Sequence, residues 1–471
     1  MHFRQTGWTR PAAASFFYTL TAALGKIAAL ITLPFFTARL GASAFGQYAL
    51  YLCYEGLLFS AVSLGLGGAA VYRALDRFRG REDRLLGTAL LLSLSAALVL
   101  FPACAVLLRK KLAPLWIVIL LLQAAARLIF TLYGAKCRYL YRYRTLCIMN
   151  LFCDLGAPTF SAVLLLLFPL GVGGRILGGA IPAIAVGALS LLLLLRNAKK
   201  IFDKEALRYL LSLQLPLLPH YLSMALMAEV GRLAVEHVLG SEALGAYAVA
   251  HSVGFALALL TGSLSGAFQP WVLRKARAGE AARVSEIAER LALLLCALSL
   301  LPALAAPELF SVLAPKAYGI GTAAVPALAL TVPLSFLAAV PILAKLSAEN
   351  RLAVSLPSLI CALCSLLLCP ILARRLGLYG GSIGVIFSYL LFFFLHAATV
   401  PKSEKSIINA KNCFLIILPF CIVGLSIPVL YPYPILRLLL FLSYLLASAL
   451  LGIELLPRIA ERKGASHQAT A

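Results

Sequence analysis

Five ionisable side chains lie inside otherwise apolar stretches of the sequence. Two are cations, Lys26 and Arg127, and three are carboxylates, Glu55, Asp154 and Glu229. A charged group at the middle of a membrane helix costs about 2.5–3.5 kcal/mol on insertion scales, so such groups normally face a protein interior or a water-filled cavity. The two cations could bind a phosphate, Arg127 as a bidentate fork and Lys26 as a point charge.

The three carboxylates allow two interpretations. Protonation would relieve the cost of burying them, so Glu55, Asp154 and Glu229 could couple a conformational change to a proton or sodium gradient. Alternatively, Glu55 and Asp154 could be internal counter-ions that hold Lys26 or Arg127 in place. The residue types alone do not choose between these two roles.

Five further polar residues are candidates for contact with a polar ligand. Arg39 and Arg232 are predicted near the outer ends of spans, where a long cationic side chain commonly reaches the lipid headgroups but could also meet an anion. His220, in a proline-rich helix start, and His251 could bind a sugar or titrate near neutral pH, although a membrane histidine is often simply hydrogen-bonded across helices. Gln269, beside Pro270, could likewise bind a sugar or could simply be hydrogen-bonded across helices.

The apolar stretches predict the elements that would position these residues. Of the 471 residues, 62% are hydrophobic and 13% are charged, about half the charged fraction of a water-soluble chain. Continuous apolar blocks of about twenty residues favour an all-α polytopic membrane protein over a β-barrel. We predict about 14 transmembrane helices, at residues 14–35, 45–71, 85–108, 112–134, 146–168, 175–196, 210–233, 245–268, 288–306, 322–344, 354–373, 379–400, 412–430 and 435–456.

The distribution of Lys and Arg predicts the topology. With a cytoplasmic N-terminus, 29 of the 41 basic residues fall in inner segments and 10 in outer segments, as the positive-inside rule requires. An even number of spans then places the C-terminus in the cytoplasm as well. We therefore predict a multi-pass protein of the cell membrane with both termini in the cytoplasm. The net charge of +23 is spread over these connections, which favours membrane topology over nucleic-acid binding.

An internal repeat predicts two related halves. Five residues recur with a constant offset of 199, Leu40-Gly41-x4-Gly46-x-Tyr48-Ala49 and Leu239-Gly240-x4-Gly245-x-Tyr247-Ala248. Six spans separate the copies, so the halves are expected to be parallel repeats, an arrangement that suits alternating access. The predicted divisions are an N-terminal lobe of spans 1–6 at 1–197, a cytoplasmic linker at 198–209, a C-terminal lobe of spans 7–12 at 210–400, and spans 13–14 with a cytoplasmic tail at 401–471.

Five motifs in order resemble the polysaccharide/oligosaccharide flippase family of the multidrug/oligosaccharidyl-lipid/polysaccharide exporter superfamily. They are the Leu40-Gly41 to Tyr48 turn, Leu215-Pro216 to Ser223, Gly266 to Trp271, Ala306-Pro307-Glu308 with Tyr318, and Gly377 to Ser382. The resemblance covers essentially the whole chain. One departure is that many members carry an Asp-Arg pair late in span 7, where this chain has Gly231-Arg232 with Glu229 as the nearest acid.

The resemblance implies two pseudo-symmetric six-helix lobes plus two C-terminal helices, and a flippase that moves an undecaprenyl-pyrophosphate-linked oligosaccharide. Membrane lipid, and also a polymerase and glycosyltransferases, are the implied partners. A lipid II flippase and a drug or cation antiporter share the fold, so they stay open as alternatives. A membrane-embedded polymerase is disfavoured because the outer connections are short. Phosphate-cradling loops, zinc motifs and nucleophile elbows are missing from the sequence, so we expect neither a cofactor nor enzyme activity.

Overall fold

The fold is built from helices throughout the part of the chain that the structure describes. This computed structural model describes residues 10–66, 69–196, 201–348, 350–401 and 407–460. The α-helices are α1 Arg10–Ser63, α2 Ala69–Arg77, α3 Glu82–Leu108, α4 Pro114–Tyr139, α5 Tyr143–Leu167, α6 Val172–Leu195, α7 Lys204–Gln214, α8 Leu218–Gly254, α9 Ala258–Arg277, α10 Ala281–Leu304, α11 Ala306–Leu313, α12 Val325–Ser347, α13 Leu352–Ala398, α14 Ala410–Ser426 and α15 Pro434–Ala460. Short 3₁₀ turns join several of them.

Glycine kinks divide three of the long helical segments. Among the described residues, 11 segments are long and apolar enough to cross a membrane. Three of these are interrupted by Gly41, Gly240 and Gly377, at φ values of 75°, 86° and 63°. A side chain would clash in this left-handed region, so glycine is the natural residue for such a turn. Counting the two sides of each kink separately gives fourteen spans, which confirms the predicted all-helical fold of about that number.

The repeated motif folds in the same way in both copies. Gly41 and Gly240 have nearly identical backbone angles, with ψ values of 168° and 178°. The turns also pack on each other, because a Cβ on Gly46 would collide with the carbonyl oxygen of Ser241, and one on Gly245 would collide with that of Ala42. The motif therefore marks two equivalent turns that meet through glycine.

Two connections differ from the sequence prediction. The second span was predicted to run to residue 71, but α1 ends at Ser63, where Leu64 and Gly65 adopt positive φ values of 49° and 73°. The chain then forms α2, a separate amphipathic helix that hydropathy merged with the span. The linker predicted at 198–209 overlaps α7, which continues to Gln214, so α8 begins at Leu218 and not at the predicted residue 210. Residues 197–200 of that connection, and 461–471 of the predicted tail, lie outside the described residues.

The chain forms two compact units. Unit 1, Met1–Gly245, contains α1–α7 and most of α8. Within it α4 and α5 pack against both α1 and α6, and small residues allow the close approach, since a Cβ on Gly187 would collide with Ala126 and one on Gly178 with Ser161. This packing fixes the helices that carry half of the candidate residues.

Unit 2, Ala246–Ala471, is organised around α12. The segment that contains α12 is the most deeply buried candidate span, and α9, α10, α13 and α14 pack against it. Helices α14 and α15, which correspond to the two additional C-terminal spans, both pack on α10. Arg437 of α15 forms a bidentate ion pair with Glu308 of α11, with N–O distances of 2.7 Å. The lobe boundaries stay a prediction.

Candidate functional site

Lys26 lies on an exposed polar stripe of α1. Thr19, Ala22, Lys26 and Ala29 are all exposed and, at spacings of three and four residues, share one face of the helix. A different face exposes large apolar side chains, namely Phe16, Leu20, Leu24, Ile27 and Ile31. An apolar face of this kind suits lipid, whereas a membrane-embedded cation among small residues suits a water-filled space. The Lys26 stripe is therefore the polar face of this helix.

Asp154 of α5 lies beside the Lys26 stripe. Its side chain packs directly on Gly25, where a Cβ would stand 2.6 Å from the carboxylate oxygen Oδ2. The carboxylate interacts electrostatically with Lys26, although no ion pair shorter than 4.0 Å forms between them. Glycine at position 25 thus lets a carboxylate approach α1 next to the cation. Lys26 and Asp154 both stay exposed, so both remain available to a ligand.

Arg127 of α4 is held by Glu55 and by an aromatic ring. Its Nη1 donates to Glu55 Oε2 at 2.6 Å, and its guanidinium lies 4.3 Å from the centroid of Phe59. One turn earlier on both helices, the Tyr51 hydroxyl donates to Gln123 Oε1 at 3.0 Å. The Glu55 side chain is only 6% exposed, but that of Arg127 is 48% exposed. One side of Arg127 therefore meets its counter-ion, while the other side is exposed.

The exposed side of Arg127 is also a polar stripe. Gln123, Arg127 and Thr131 follow one another at intervals of four residues and share a face of α4. On the opposite face the exposed residues are apolar, namely Leu115, Val118 and Leu122. As with Lys26, the cation stands on the polar face rather than on the apolar face that suits lipid.

Glu229 and Arg232 of α8 form a second, half-buried ion pair. The two side chains are one helical turn apart and are 14% and 15% exposed, so Arg232 does not reach the headgroups as a snorkelling side chain would. Glu229 lies close to Glu55 and is in hydrogen-bonding contact with the thiol of Cys53. In this chain Glu229 is therefore the carboxylate that pairs with Arg232.

The Glu55 cluster, defined as Glu55, Arg127, Glu229 and Arg232, is incompletely satisfied. Among the described residues, the buried atoms Glu55 Oε1 and Arg232 Nε have no hydrogen-bond partner. A buried polar atom without a partner is costly in a membrane protein. Two carboxylates and two guanidinium groups therefore lie together with spare hydrogen-bonding capacity, which an incoming proton, cation or anion could use.

The remaining candidates of unit 1 lie apart from this cluster. Arg39 is exposed and its Nη2 donates to the Leu165 carbonyl at 3.4 Å, near the end of α5. His220 is half-buried at the start of α8, directly after the 3₁₀ turn Leu215–Leu217. Its ring packs beside Tyr221, which in turn lies against Gly65.

Two candidates belong to unit 2. His251 of α8 is half-buried and stacks on Phe255 with a centroid separation of 4.1 Å. Gln269 is half-buried on α9, one residue after the buried Phe268. The structure thus brings together Glu55, Arg127, Glu229 and Arg232, and separately Lys26 and Asp154.

Some polar side chains were missed because charges at predicted span ends were assigned to loops. Arg175 of α6 lies between the rings of Phe36 and Tyr48, at 4.0 and 4.7 Å from their centroids. Lys345 of α12 is fully buried and contacts His396. In the described ranges no group of three or more His, Cys, Asp or Glu residues could hold a metal.

Comparisons with known proteins address the family and the fold. Residues 12–275, more than half of the chain, match the family described as polysaccharide biosynthesis protein. The structure is similar to the lipid II flippase MurJ in an inward closed conformation, with a TM-score of 0.59, 13% identity, and coverage of 93% of this chain and 98% of that one. No curated protein matched the chain in a sequence search.

A second group of similar structures consists of MATE transporters. An inward-facing multidrug resistance MATE family transporter of the MOP superfamily gives a TM-score of 0.53 at 15% identity, over 87% of this chain and 99% of that one. A MATE in complex with MaL6 gives a TM-score of 0.54 at 14% identity, over 89% of this chain and 98% of that one. At such identities the likeness concerns the fold alone. The chain belongs to the polysaccharide biosynthesis protein family and has the helical fold of MOP superfamily transporters.

Proposed function

We propose that this protein is a flippase that carries an undecaprenyl-pyrophosphate-linked oligosaccharide from the inner to the outer leaflet by alternating access, for surface polysaccharide biosynthesis. The family match supports polysaccharide biosynthesis, and the fold supports transport rather than covalent chemistry. The observation that carries the proposal is the polar stripe around Lys26, a cation exposed on the polar face of a membrane helix. An anionic pyrophosphate needs such a group to cross the hydrocarbon.

The substrate has two parts with opposite requirements. Its polyprenyl tail is apolar and can stay in the bilayer, while its pyrophosphate and hydroxyl groups need charges and hydrogen bonds. Lys26 and Arg127 supply charge on the polar stripes of α1 and α4, and Thr19, Gln123 and Thr131 supply hydrogen-bonding groups. In the proposal Arg39, Arg232, His220, His251 and Gln269 are further contacts with the headgroup or sugar.

Glu55 gives this proposal a coupling step. In the structure Arg127 donates to Glu55 at 2.6 Å. Protonation of Glu55 would remove the negative charge and release the guanidinium for a phosphate, while loss of the proton would recapture Arg127 and release the substrate. Glu229 and Asp154 are the other carboxylates that could carry the coupling proton or sodium ion.

The main experiment measures polymer export in cells that depend on this protein. We expect Lys26→Ala to abolish export while the protein stays inserted and abundant, and Lys26→Arg to retain part of the activity. Lys110→Ala, which removes a cation from the exposed connection between α3 and α4, is the matched control and should export normally. Normal export by Lys26→Ala would remove Lys26 from the mechanism.

A second experiment tests coupling and substrate in proteoliposomes. Transport of the lipid-linked sugar should depend on pH, sodium or voltage, and Glu55→Gln, which imitates the protonated carboxyl, should abolish a pH dependence carried by Glu55. Transport that ignores all three gradients would contradict the coupling proposal. Supplying lipid II or a cationic drug instead distinguishes the two alternative transporters, because the proposed flippase should move neither at a comparable rate.

The proposed topology places both termini in the cytoplasm of a cell-membrane protein. Single cysteines placed on α7 and in the connection between α3 and α4 should react with a membrane-impermeant thiol reagent from opposite sides of the membrane. Equal reactivity from the outside at both positions would contradict this orientation. In the same proposal glycosyltransferases and a polysaccharide polymerase are functional partners. The glycosyltransferases build the lipid-linked unit before translocation, and the polymerase joins the units after it.

A further inference from the structure

Helix α7 has two faces with different partners. Ala206, Leu210, Leu213 and Gln214 are buried, and the helix packs on α2 and α3. The other face, together with the 3₁₀ turn that follows it, forms a groove of about 490 Å³, lined by Lys204, Leu207, Arg208, Leu211, Ser212, Leu215 and Pro216. The groove directly precedes α8, so we expect it to stand at the level of the lipid headgroups.

Among the described residues, the basic residues of the groove have no carboxylate counter-ion. The two carboxylates of this helix start, Asp203 and Glu205, are both directed to Arg81, at 3.5 and 3.3 Å. Asp203 also caps α7, since its Oδ1 accepts from the backbone of Glu205 at 2.9 Å. Within the described part of the chain, no carboxylate lies within 4.0 Å of Lys204 or Arg208. The groove therefore presents two positive charges one helical turn apart.

Polarity changes along the groove in one direction. Lys204 and Arg208 stand at its beginning, and Leu211 and Leu215 follow, with exposures of 37% and 63%. Eleven residues of helix at 1.5 Å per residue make the distance from first to last roughly 16 Å. A cationic end followed by an exposed apolar end matches the phosphate and the acyl chain of a phospholipid.

We infer that this groove binds an anionic phospholipid of the surrounding leaflet, with the phosphate on Lys204 and Arg208 and an acyl chain along Leu211 and Leu215. The two unpaired positive charges select an anionic lipid over a zwitterionic one, because basic residues at a membrane surface attract acidic lipids. The bound lipid would hold α7 at the membrane surface between two spanning segments. This site is separate from the proposed transport route and does not depend on it.

The test uses the full-length protein in detergent micelles that contain equal amounts of phosphatidylglycerol and phosphatidylcholine. Mass spectrometry of the purified protein gives the ratio of the two retained lipids. We expect an excess of phosphatidylglycerol in the wild type. Lys204→Gln or Arg208→Gln should each lower the ratio about fivefold, which corresponds to the roughly 1 kcal/mol that one basic residue contributes at an anionic surface. The double variant should approach equal retention.

Two further variants define the site. Arg109→Gln with Lys110→Gln removes the same charge from exposed positions elsewhere and should leave the ratio unchanged. Leu211→Ser with Leu215→Ser should reduce the total lipid retained. An unchanged ratio in the Lys204/Arg208 double variant, or an equal fall in the control, would overturn the inference. It would also be overturned if equimolar undecaprenyl phosphate displaced phosphatidylglycerol from the wild type, since the groove would then belong to the transported lipid.

Discussion

Two buried polar groups, one in each unit, are built on different principles. The Glu55 cluster of unit 1 contains four charged groups and leaves Glu55 Oε1 and Arg232 Nε without hydrogen bonds among the described residues. In unit 2 the ammonium group of Lys345 meets three acceptors, the Ala353 carbonyl at 3.1 Å, His396 Nδ1 at 3.0 Å and Thr399 Oγ1 at 2.5 Å.

The contacts of Lys345 form a complete network. An ammonium group has three donors, and each finds an acceptor here. Because His396 accepts at Nδ1, its Nε2–H is assigned as the donor to Ser358 Oγ at 3.0 Å, and that hydroxyl donates to the Val354 carbonyl at 2.8 Å. A satisfied network joins helices and keeps one arrangement, whereas spare capacity suits a group that changes partners. From this comparison we expect the Lys345 network to serve stability, and the proposed coupling step predicts that the Glu55 cluster exchanges partners.

The largest expected effect is therefore on the stability of unit 2. Lys345→Met should destabilise the protein by about 3 kcal/mol, because it leaves the acceptors on α13 and at its C-cap, including the buried His396, without their donor. Unfolding in increasing mole fractions of SDS measures the change. Lys316→Met, an exposed lysine of the same unit, is the control and should stay within about 0.5 kcal/mol of the wild type. Equal stability of the two variants would remove the structural role of the network.

Arg127→Gln should have a smaller effect, about 2 kcal/mol of lost stability, because it leaves the buried Glu55 carboxylate without its counter-ion. Adding Glu55→Gln should recover part of the loss, since the buried charge then disappears. The same SDS titration on both single variants and the double variant gives the coupling energy. Additive effects would show that the 2.6 Å contact between Arg127 and Glu55 does not contribute to stability. The Glu55 cluster could then no longer be compared with the Lys345 network as an interacting group.

Glu308 should contribute a weaker, pH-dependent term. The hydrogen bonds from Arg437 hold the pKa of Glu308 below its ordinary value of 4.5. This contribution to stability is present above that value and is lost as the pH falls through the lowered pKa. We expect stability to decline at acidic pH below about 4.5 less steeply in Glu308→Gln than in the wild type. Because the Glu308 side chain is 59% exposed, solvent screening makes the difference small. Identical pH profiles would contradict this role.

Lys26→Ala should change stability least, by less than about 0.5 kcal/mol, because the side chain is exposed and has no ion pair within 4.0 Å among the described residues. This result, combined with loss of export, would sharpen the distinction between a side chain kept for exchange and one kept for folding. A large loss of stability would instead show that Lys26, like Lys345, has a structural role. Thermal unfolding is measured on the purified variant, and polymer export is measured in cells that express it.

Hydropathy was sufficient to predict the positions of the spans but not their ends. It finds apolar blocks, and the helix interiors followed those blocks. It could not separate α2 from the second span, because that boundary depends on positive φ angles at Leu64 and Gly65. The Gly41 turn, in contrast, was visible in advance through its repeat at Gly240.

The candidate site was only partly predictable for a related reason. Depth in an apolar block identified Glu55 and Arg127, and their pairing was one of the two alternatives that the sequence left open. Burial of Arg232 was missed because its position near a predicted span end suggested the headgroups. Lys345 was missed because it was counted among loop charges, although α12 continues past it to Ser347. Charge counting assigns a residue to a side of the membrane but gives no information on its contacts.

The reciprocal packing of Gly46 and Gly245 makes these two positions interdependent. Each glycine lies where a methyl group would collide with backbone of the opposite turn, at Ser241 and at Ala42. A methyl group at either position would already force the two turns apart. This separation would then make room for a second methyl group at the other position. Alanine at both sites should therefore cost little more than alanine at one, so a change at one glycine relaxes the restriction on the other.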